Sequence, residues 1–417
     1  MKDSIYGQLV GLQIGWGMET NKPTRGLKSL WAQYGLSALS VLLVFVYFSD
    51  GASAQEGVQL EWKAKQLSSN SQDVDWPAIV ADQAGIVHIF WSSLEMDSHR
   101  GAIYYACNDR SDWLINDVIV DDARNVQAAL DERDTLHLIW LSSNQLKYSA
   151  SPISAANLTR GWSRPVTIAD MPLYSPKLLA DPKGILHVAF GSLTNTTSAL
   201  YYLRSTDGGM TWKRPKIFEA PIASKMVSYP QLAFGQDGTL YLVWSLTPIP
   251  ELYGGAGVYF SRSADSGLSW SDPLRLDETD GNAPGEGAWQ ASIAILGRNE
   301  VHVVWNAHRY GGNRRHRWSL DGGLNWSNVQ PIWGSFASQT GPNPMIMDSS
   351  GSLYLFSAGT FDWSQRQGVY VSRWTESGWI QPELVNDYSD EPHWLHVALT
   401  EGNRLHVVWQ AREQHPR

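Results

Sequence analysis

One pattern recurs seven times along the chain and limits its architecture more than any other feature. A short apolar strand is followed by a turn carrying Asp or Gly, then by a second apolar strand that ends in an aromatic residue. It reads PAIVADQAGIVHIFW from Pro77, AALDERDTLHLIW from Ala128, PKLLADPKGILHVAF from Pro176 and PQLAFGQDGTLYLVW from Pro230. It returns as ASIAILGRNEVHVVW from Ala291, PMIMDSSGSLYLFS from Pro344 and HVALTEGNRLHVVW from His396. Strands with regular turn signals at a period of about 50 residues predict an all-β β-propeller with four strands per blade.

A second element counts the blades independently. A Trp opens what reads as the last strand of each unit, at Trp62, Trp113, Trp162, Trp212, Trp270, Trp326 and Trp379. The two series are out of phase: the chain enters with a fourth strand at Trp62 and leaves with a first and second strand through Trp409. Joining the two ends predicts seven blades, with N- and C-terminal strands closing the last one and removing free sheet edges. That last blade has no obvious third strand. Six blades with an appendage is the alternative.

Composition narrows the function classes. With 43% hydrophobic residues in 417, the chain can bury a large core. A net charge of −9 argues against a nucleic-acid partner, because phosphate binding needs a basic face. Cys107 is the only cysteine, so no intrachain disulfide and no cysteine metal site can form. Nothing in the sequence calls for a cofactor.

Residues 1–54 read as a signal peptide or N-terminal membrane anchor, and 55–417 as the propeller domain. Leu36–Phe48 is an apolar run preceded by Arg25 and Lys28, and Ala52-Ser53-Ala54 fits a small-x-small cleavage site ahead of Gln55. The run is shorter than the ~20 residues of a membrane span. The expectation is an exported protein that touches membrane only if this segment is retained.

Three octets sit in register with the repeat: STDGGMTW at Ser205, SADSGLSW at Ser263 and SLDGGLNW at Ser319. They resemble the Asp-box, S-x-D-x-G-x-T-W, of the sialidase-like BNR-repeat propellers, and the resemblance extends from about Trp62 to Trp409. The chemistry of these boxes is local. Asp207, Asp265 and Asp321 can accept N–H bonds within their own turn. Gly209, Gly267 and Gly323 can take positive φ, and Trp212, Trp270 and Trp326 can pack on a neighbouring sheet. Ser205, Ser263 and Ser319 open each box. All are read as structural.

Asp-boxes join third to fourth strands, so they share one face. The resemblance implies an active site on the opposite face, reached by two–three and four–one loops. There SSLEMDSHRG supplies Asp97 and Arg100, DETDGNAPGEGAW supplies Glu286, NAHRYGGNRRHRW supplies His308, Arg309 and Tyr310, and FDWSQRQ supplies Arg366. The resemblance implies catalytic roles for Asp97, Glu286 and Tyr310, and ligand binding by Arg100, Arg309, Arg366 and His308. Arginines grip carboxylates in bidentate fashion. The first-blade arginine of that family is missing, because the chain reads Asp75-Trp76-Pro77. The sequence therefore points to recognition of a glycan or another polyhydroxylated or anionic ligand, without a complete arginine triad. An active sialidase or other glycoside hydrolase, and a protein-binding scaffold, are the alternatives.

His88, His137, His187, His302 and His406 share one second-strand position, with Tyr241 and Tyr354 in the remaining blades. One residue per blade spreads them too widely to hold one metal ion. A packed, hydrogen-bonded role is expected.

Overall fold

A computed structural model describes residues 40–47, 63–68, 72–95, 101–109, 112–194, 197–220, 225–248, 255–277, 287–307, 314–334, 336, 341–361, 367–385 and 391–412. Two single 3-10 turns, Ile153–Ala155 and Thr159–Gly161, interrupt an otherwise all-strand chain. The architecture is a β-propeller.

Six antiparallel sheets are each drawn from one contiguous stretch. Blade 1 runs Gln72–Ala81, Val87–Glu95, Gly101–Asp109, Asp112–Val120. Blade 2 runs Ala123–Leu130, Thr135–Ser142, Gln145–Pro152, Val166–Asp170, and blade 3 runs Leu173–Ala180, Leu186–Thr194, Thr197–Ser205, Lys216–Glu219. Blade 4 comprises Lys225–Phe234, Leu240–Pro248, Gly257–Ser263 and Leu274–Arg275. Blade 5 comprises Ala288–Leu296, Glu300–Ala307, Arg314–Ser319 and Gln330–Ile332. In blade 6 the strands Met345–Met347, Leu353–Gly359 and Gly368–Thr375 are flanked by two short segments, Gly378–Trp379 and Glu383–Leu384, that both pair with the third strand.

The ends of the described chain meet in a further four-stranded sheet. Glu391–Thr400 pairs with Arg404–Arg412, which pairs with Ser40–Tyr47, which pairs with Lys63–Gln66. The expectation of seven like blades is corrected accordingly. Six are self-contained, the number held as the alternative, and the last repeat completes its sheet only with strands from the other end. The third strand that the sequence left blank is Ser40–Tyr47, the same residues that read as a leader.

The first strands form a closed circle. Each touches the next, and Glu391–Thr400 touches both Met345–Met347 of blade 6 and Gln72–Ala81 of blade 1. Second strands lie between neighbouring sheets and are apolar on both faces, as that position requires. Ile89, Phe90 and Trp91 are fully buried, as are Leu138, Ile139 and Trp140. Trp91, Trp140, Trp244, Trp305 and Trp409 are among the largest buried side chains, and the second strands run two to four residues past them rather than ending there. These tryptophans knit neighbouring sheets together. Trp140 packs with Phe90, Ile103 and Tyr105 of blade 1, and Trp409 packs with Phe356 and Val369 of blade 6.

Candidate functional site

The Asp-boxes lie between third and fourth strands and act as struts. In the first, the Gly209 N–H donates to Ser205 Oγ at 2.9 Å, the Ser205 hydroxyl donates to Asp207 Oδ1 at 2.7 Å, and the Thr211 N–H donates to the same oxygen at 2.9 Å. The hydroxyl and N–H of Thr211, then the Ser205 hydroxyl, hold the exposed Asp207 carboxyl down at about 2. Asp321 is likewise held at about 2 by the Asn325 N–H and side chain and by Ser319. At Asp265 a desolvation penalty opposes the same effect, and bonds from Ser269 and Ser263 still bring it to about 2.

Gly209, Gly267 and Gly323 all have φ near +84° and abut the preceding blade's third strand, where a Cβ would reach Tyr148, Tyr202 and Phe260 respectively. Trp212, Trp270 and Trp326 meet those same three rings edge-on. The Asp and Ser groups of the boxes are engaged within their own turns and the Gly and Trp residues pack on the preceding blade, so the structural reading agrees with the geometry.

Two of the second-strand histidines, His137 and His187, back the tyrosines on which these struts rest. His137 Nδ1 lies 2.7 Å from Tyr148 Oη, which donates to Gly208 O of the next blade at 2.7 Å, and His137 Nε2 faces Asp131 at 3.3 Å. Asp181–His187–Tyr202 and Asp82–His88–Tyr105 repeat the chain. In blade 5 His302 sits between Glu300 and His316. Burial lowers the pKa of His88, His137 and His187 against the pull of their aspartates. No group of three metal-ligating side chains exists among the described residues.

Asp97, Arg100, Glu286, His308, Arg309, Tyr310 and Arg366 all fall outside the described residues, so the described geometry neither brings them together nor separates them. The described residues that stand out instead are on the first strands, and the sequence reading passed over them.

Six of the seven first strands carry a β-bulge, with register shifts between Asp75/Ala78, Arg124/Gln127, Tyr174/Lys177, Ser228/Gln231, Trp289/Ser292 and His393/His396. At each bulge one non-glycine residue has positive φ: Trp76 at 34°, Asn125 at 52°, Ser175 at 51°, Tyr229 at 51°, Gln290 at 50° and Trp394 at 53°. For Trp and Tyr this is an outlying conformation, costing about 1–3 kcal/mol each, and such strain clusters at functional positions. A bulge also re-aims its side chain.

Here the side chains meet at the axis. The Trp76 and Trp394 rings are 4.1 Å apart, and Trp394 lies 5.9 Å from Tyr229, which lies 6.2 Å from Trp289. Blade 4 and the closing sheet are not neighbours, so the Tyr229–Trp394 contact spans the ring. Because four–one loops lead into the first strands, this aromatic bridge stands on the face opposite the Asp-boxes. Beside it Gln290 Oε1 accepts from Asn306 Nδ2 at 2.7 Å, Asn306 Oδ1 accepts from Asn343 Nδ2 at 2.7 Å, and Asn343 Oδ1 accepts from Arg314 Nε at 2.6 Å. The buried Arg314, pulled down to about 9 by burial, stacks over Phe336 and fastens blade 5 to blade 6.

Two residues further on, register defines a second tier. Ala78, Gln127, Lys177, Gln231, Ser292, Met345 and His396 each pair with the residue just before the second-strand aromatic. Lys177 keeps some exposed surface, yet protein surrounds it within the ring, and burial pulls its amine down to about 8. His396, on the closing sheet, is brought to about 3 by burial and then by the Lys177 charge. Lys177 has no hydrogen bond or ion pair among the described residues.

A family model described as "BNR repeat-like domain" matches residues 127–345. No curated protein matches the sequence. Among solved structures, polysaccharide lyase Uly1 is similar at 11% identity with a TM-score of 0.51, over 81% of this chain and 89% of that one. A PL25 ulvan lyase, also solved bound to -[GlcA(1-4)Rha3S]-, is similar at 12% identity with a TM-score of 0.55, over 79% of this chain and 88% of that one. The Hadza microbial sialidase Hz136 aligns at 14% identity with a TM-score of 0.46, over 91% of both chains. At these identities the solved structures speak for the fold.

Proposed function

Because the chain belongs to the BNR repeat-like family of sialidase-like β-propellers, we propose that it recognises an acidic glycan at the mouth of its central channel. The observation that carries this reading is the bridge Trp76–Trp394–Tyr229–Trp289, assembled on strained backbone where first strands enter the ring. Aromatic faces give a sugar ring a large apolar platform with polar edges nearby. Gln290 and Asn125 flank the bridge on adjoining first strands as amide partners for hydroxyls. A lyase solved with a glucuronate-containing fragment is consistent with an acidic ligand on this type of scaffold.

The loop residues Asp97, Glu286, Tyr310, Arg100, Arg309, Arg366 and His308 are proposed to line the same mouth from above. If the site is catalytic, Asp97, Glu286 and Tyr310 supply the acid, base and nucleophile groups. Export is proposed from the apolar run and the Ala52-Ser53-Ala54 site. Processing there would strip the closing sheet of Ser40–Tyr47. The intact mass of the folded protein separates the two: a start at Gln55 supports processing, and a retained segment supports the strand.

The test of the function is a glycan array, followed by titration of neutral, uronate-bearing and sialylated oligosaccharides against the wild type and Trp394→Ala. Release of sialic acid, or of an unsaturated uronate chromophore, adds catalysis to recognition. Absence of any glycan binding would refute the reading and leave a protein-binding scaffold.

A further inference from the structure

Resting on the glycan reading, we propose that the tier beneath the aromatic bridge is an anion seat, in which Lys177 takes one carboxylate and His396 holds the equivalent position on the closing sheet. Three observations carry this. The tier is fixed by register: Lys177 and His396 occupy the same position on blade 3 and the closing sheet, each paired with the residue before the second-strand aromatic. Both residues lie on first strands of the one closed circle although their sheets are not neighbours in it, and the Lys177 charge adds to the burial that lowers His396. And the enclosed Lys177 ammonium has no carboxylate, carbonyl or hydroxyl partner among the described residues.

An enclosed charge without a partner is costly, and proteins either pair such a group or supply it with a ligand. The rest of the tier is neutral: Ala78, Gln127, Gln231, Ser292 and Met345 bring hydrogen-bonding capacity and no charge. The next tier along the first strands is apolar, with Ala129, Ala233, Ala294 and Ala398 at four positions and Val80, Leu179 and Met347 at the other three. Among the described residues the seat therefore holds one unopposed cation with amide and hydroxyl groups on the same tier. This suits a single carboxylate, either free or pendant on a sugar held at the mouth.

The experiment follows the thermal midpoint of the full chain at constant ionic strength during titration with acetate, glucuronate and glucose, in wild type, Lys177→Met and Lys177→Arg. The expected result is a saturable rise with glucuronate in wild type, weakened at least about tenfold in Lys177→Met and partly restored in Lys177→Arg. A matching rise with acetate identifies a free carboxylate as sufficient, and a rise with glucuronate alone identifies a sugar-borne one. Equal responses in wild type and Lys177→Met, or no response in either, overturn the seat. Glycan binding that persists unchanged in Lys177→Met removes the seat and leaves the recognition site standing. An acetate response without any glycan binding does the reverse.

Discussion

Gly208 and Gly209 are neighbours in one Asp-box with similar backbone angles, φ +68° and +84°, yet replacing each by Ala should have very different consequences. A Cβ on Gly208 meets nothing within 4 Å, whereas one on Gly209 would lie 2.1 Å from Tyr148 Cζ of the preceding blade. Gly208→Ala therefore costs only left-handed strain, about 1–2 kcal/mol. Gly209→Ala adds overpacking of about 1–3 kcal/mol and displaces the Tyr148 hydroxyl from Gly208 O, a bond worth about 0.5–1.5 kcal/mol. The total is about 2.5–6.5 kcal/mol. Urea unfolding of both variants, and of each in a Tyr148→Ala background, measures this. The gap between them should be about 1.5–4.5 kcal/mol, and it should close once Tyr148 is removed, because the coupling belongs to that contact. A gap below about 1 kcal/mol, or one that survives Tyr148→Ala, would refute the strut reading of the Asp-box.

Tyr148→Phe leaves His137 Nδ1 and Gly208 O without their shared partner, and should lower unfolding stability by about 1–3 kcal/mol. The carboxyls of Asp207 and Asp321 are depressed to about 2. Their stabilisation is therefore complete above the unfolded value of 3.8 and disappears as pH falls toward 2. Stability measured by denaturant titration across that window should drop less steeply in Asp207→Asn and Asp321→Asn. Lys177 has a dependence of the same sign in an alkaline window. Its amine is lowered to about 8 from 10.5, so the unfolded chain binds the extra proton in between, and anion-free stability should climb over that range by about 2–3 kcal/mol relative to Lys177→Met. Trp394→Ala should weaken glycan binding at least about tenfold in direct titration while far-ultraviolet circular dichroism is unchanged, since truncation of an aromatic anchor typically costs 2 kcal/mol or more.

The parts legible in the sequence were those repeated with the same chemistry in every blade. The second-strand pattern, its terminal Trp and the Asp-box each state a local need, for burial on both faces or for a pinned turn, and residues meeting that need are recognisable one by one. The bulges were not legible because local rules point elsewhere. Trp76, Ser175 and Tyr229 each precede a proline, a position expected to be extended, and only the packed ring holds them at positive φ. Lys177 looked like an ordinary charged residue near a strand start, since its enclosure depends on six other first strands. Ser40–Tyr47 is an apolar octet that satisfies a targeting signal and a doubly covered strand equally well, and only pairing with Arg404–Arg412 distinguishes the two. The loop residues Asp97, Glu286 and Arg309 were found through family resemblance, and they lie outside the described residues.

The pairing of Ser40 with Arg412 has a consequence for how the molecule comes into being. These partners lie almost a full chain length apart, so their contact has the greatest loop-closure cost in the fold and is made last. Six sheets can form in order as the polypeptide leaves the ribosome, but the circle stays open until the final strand is released. Trp394 and His396 ride on that final hairpin. A chain in which that hairpin has not yet paired with Ser40–Tyr47 therefore has folded sheets but no finished axis.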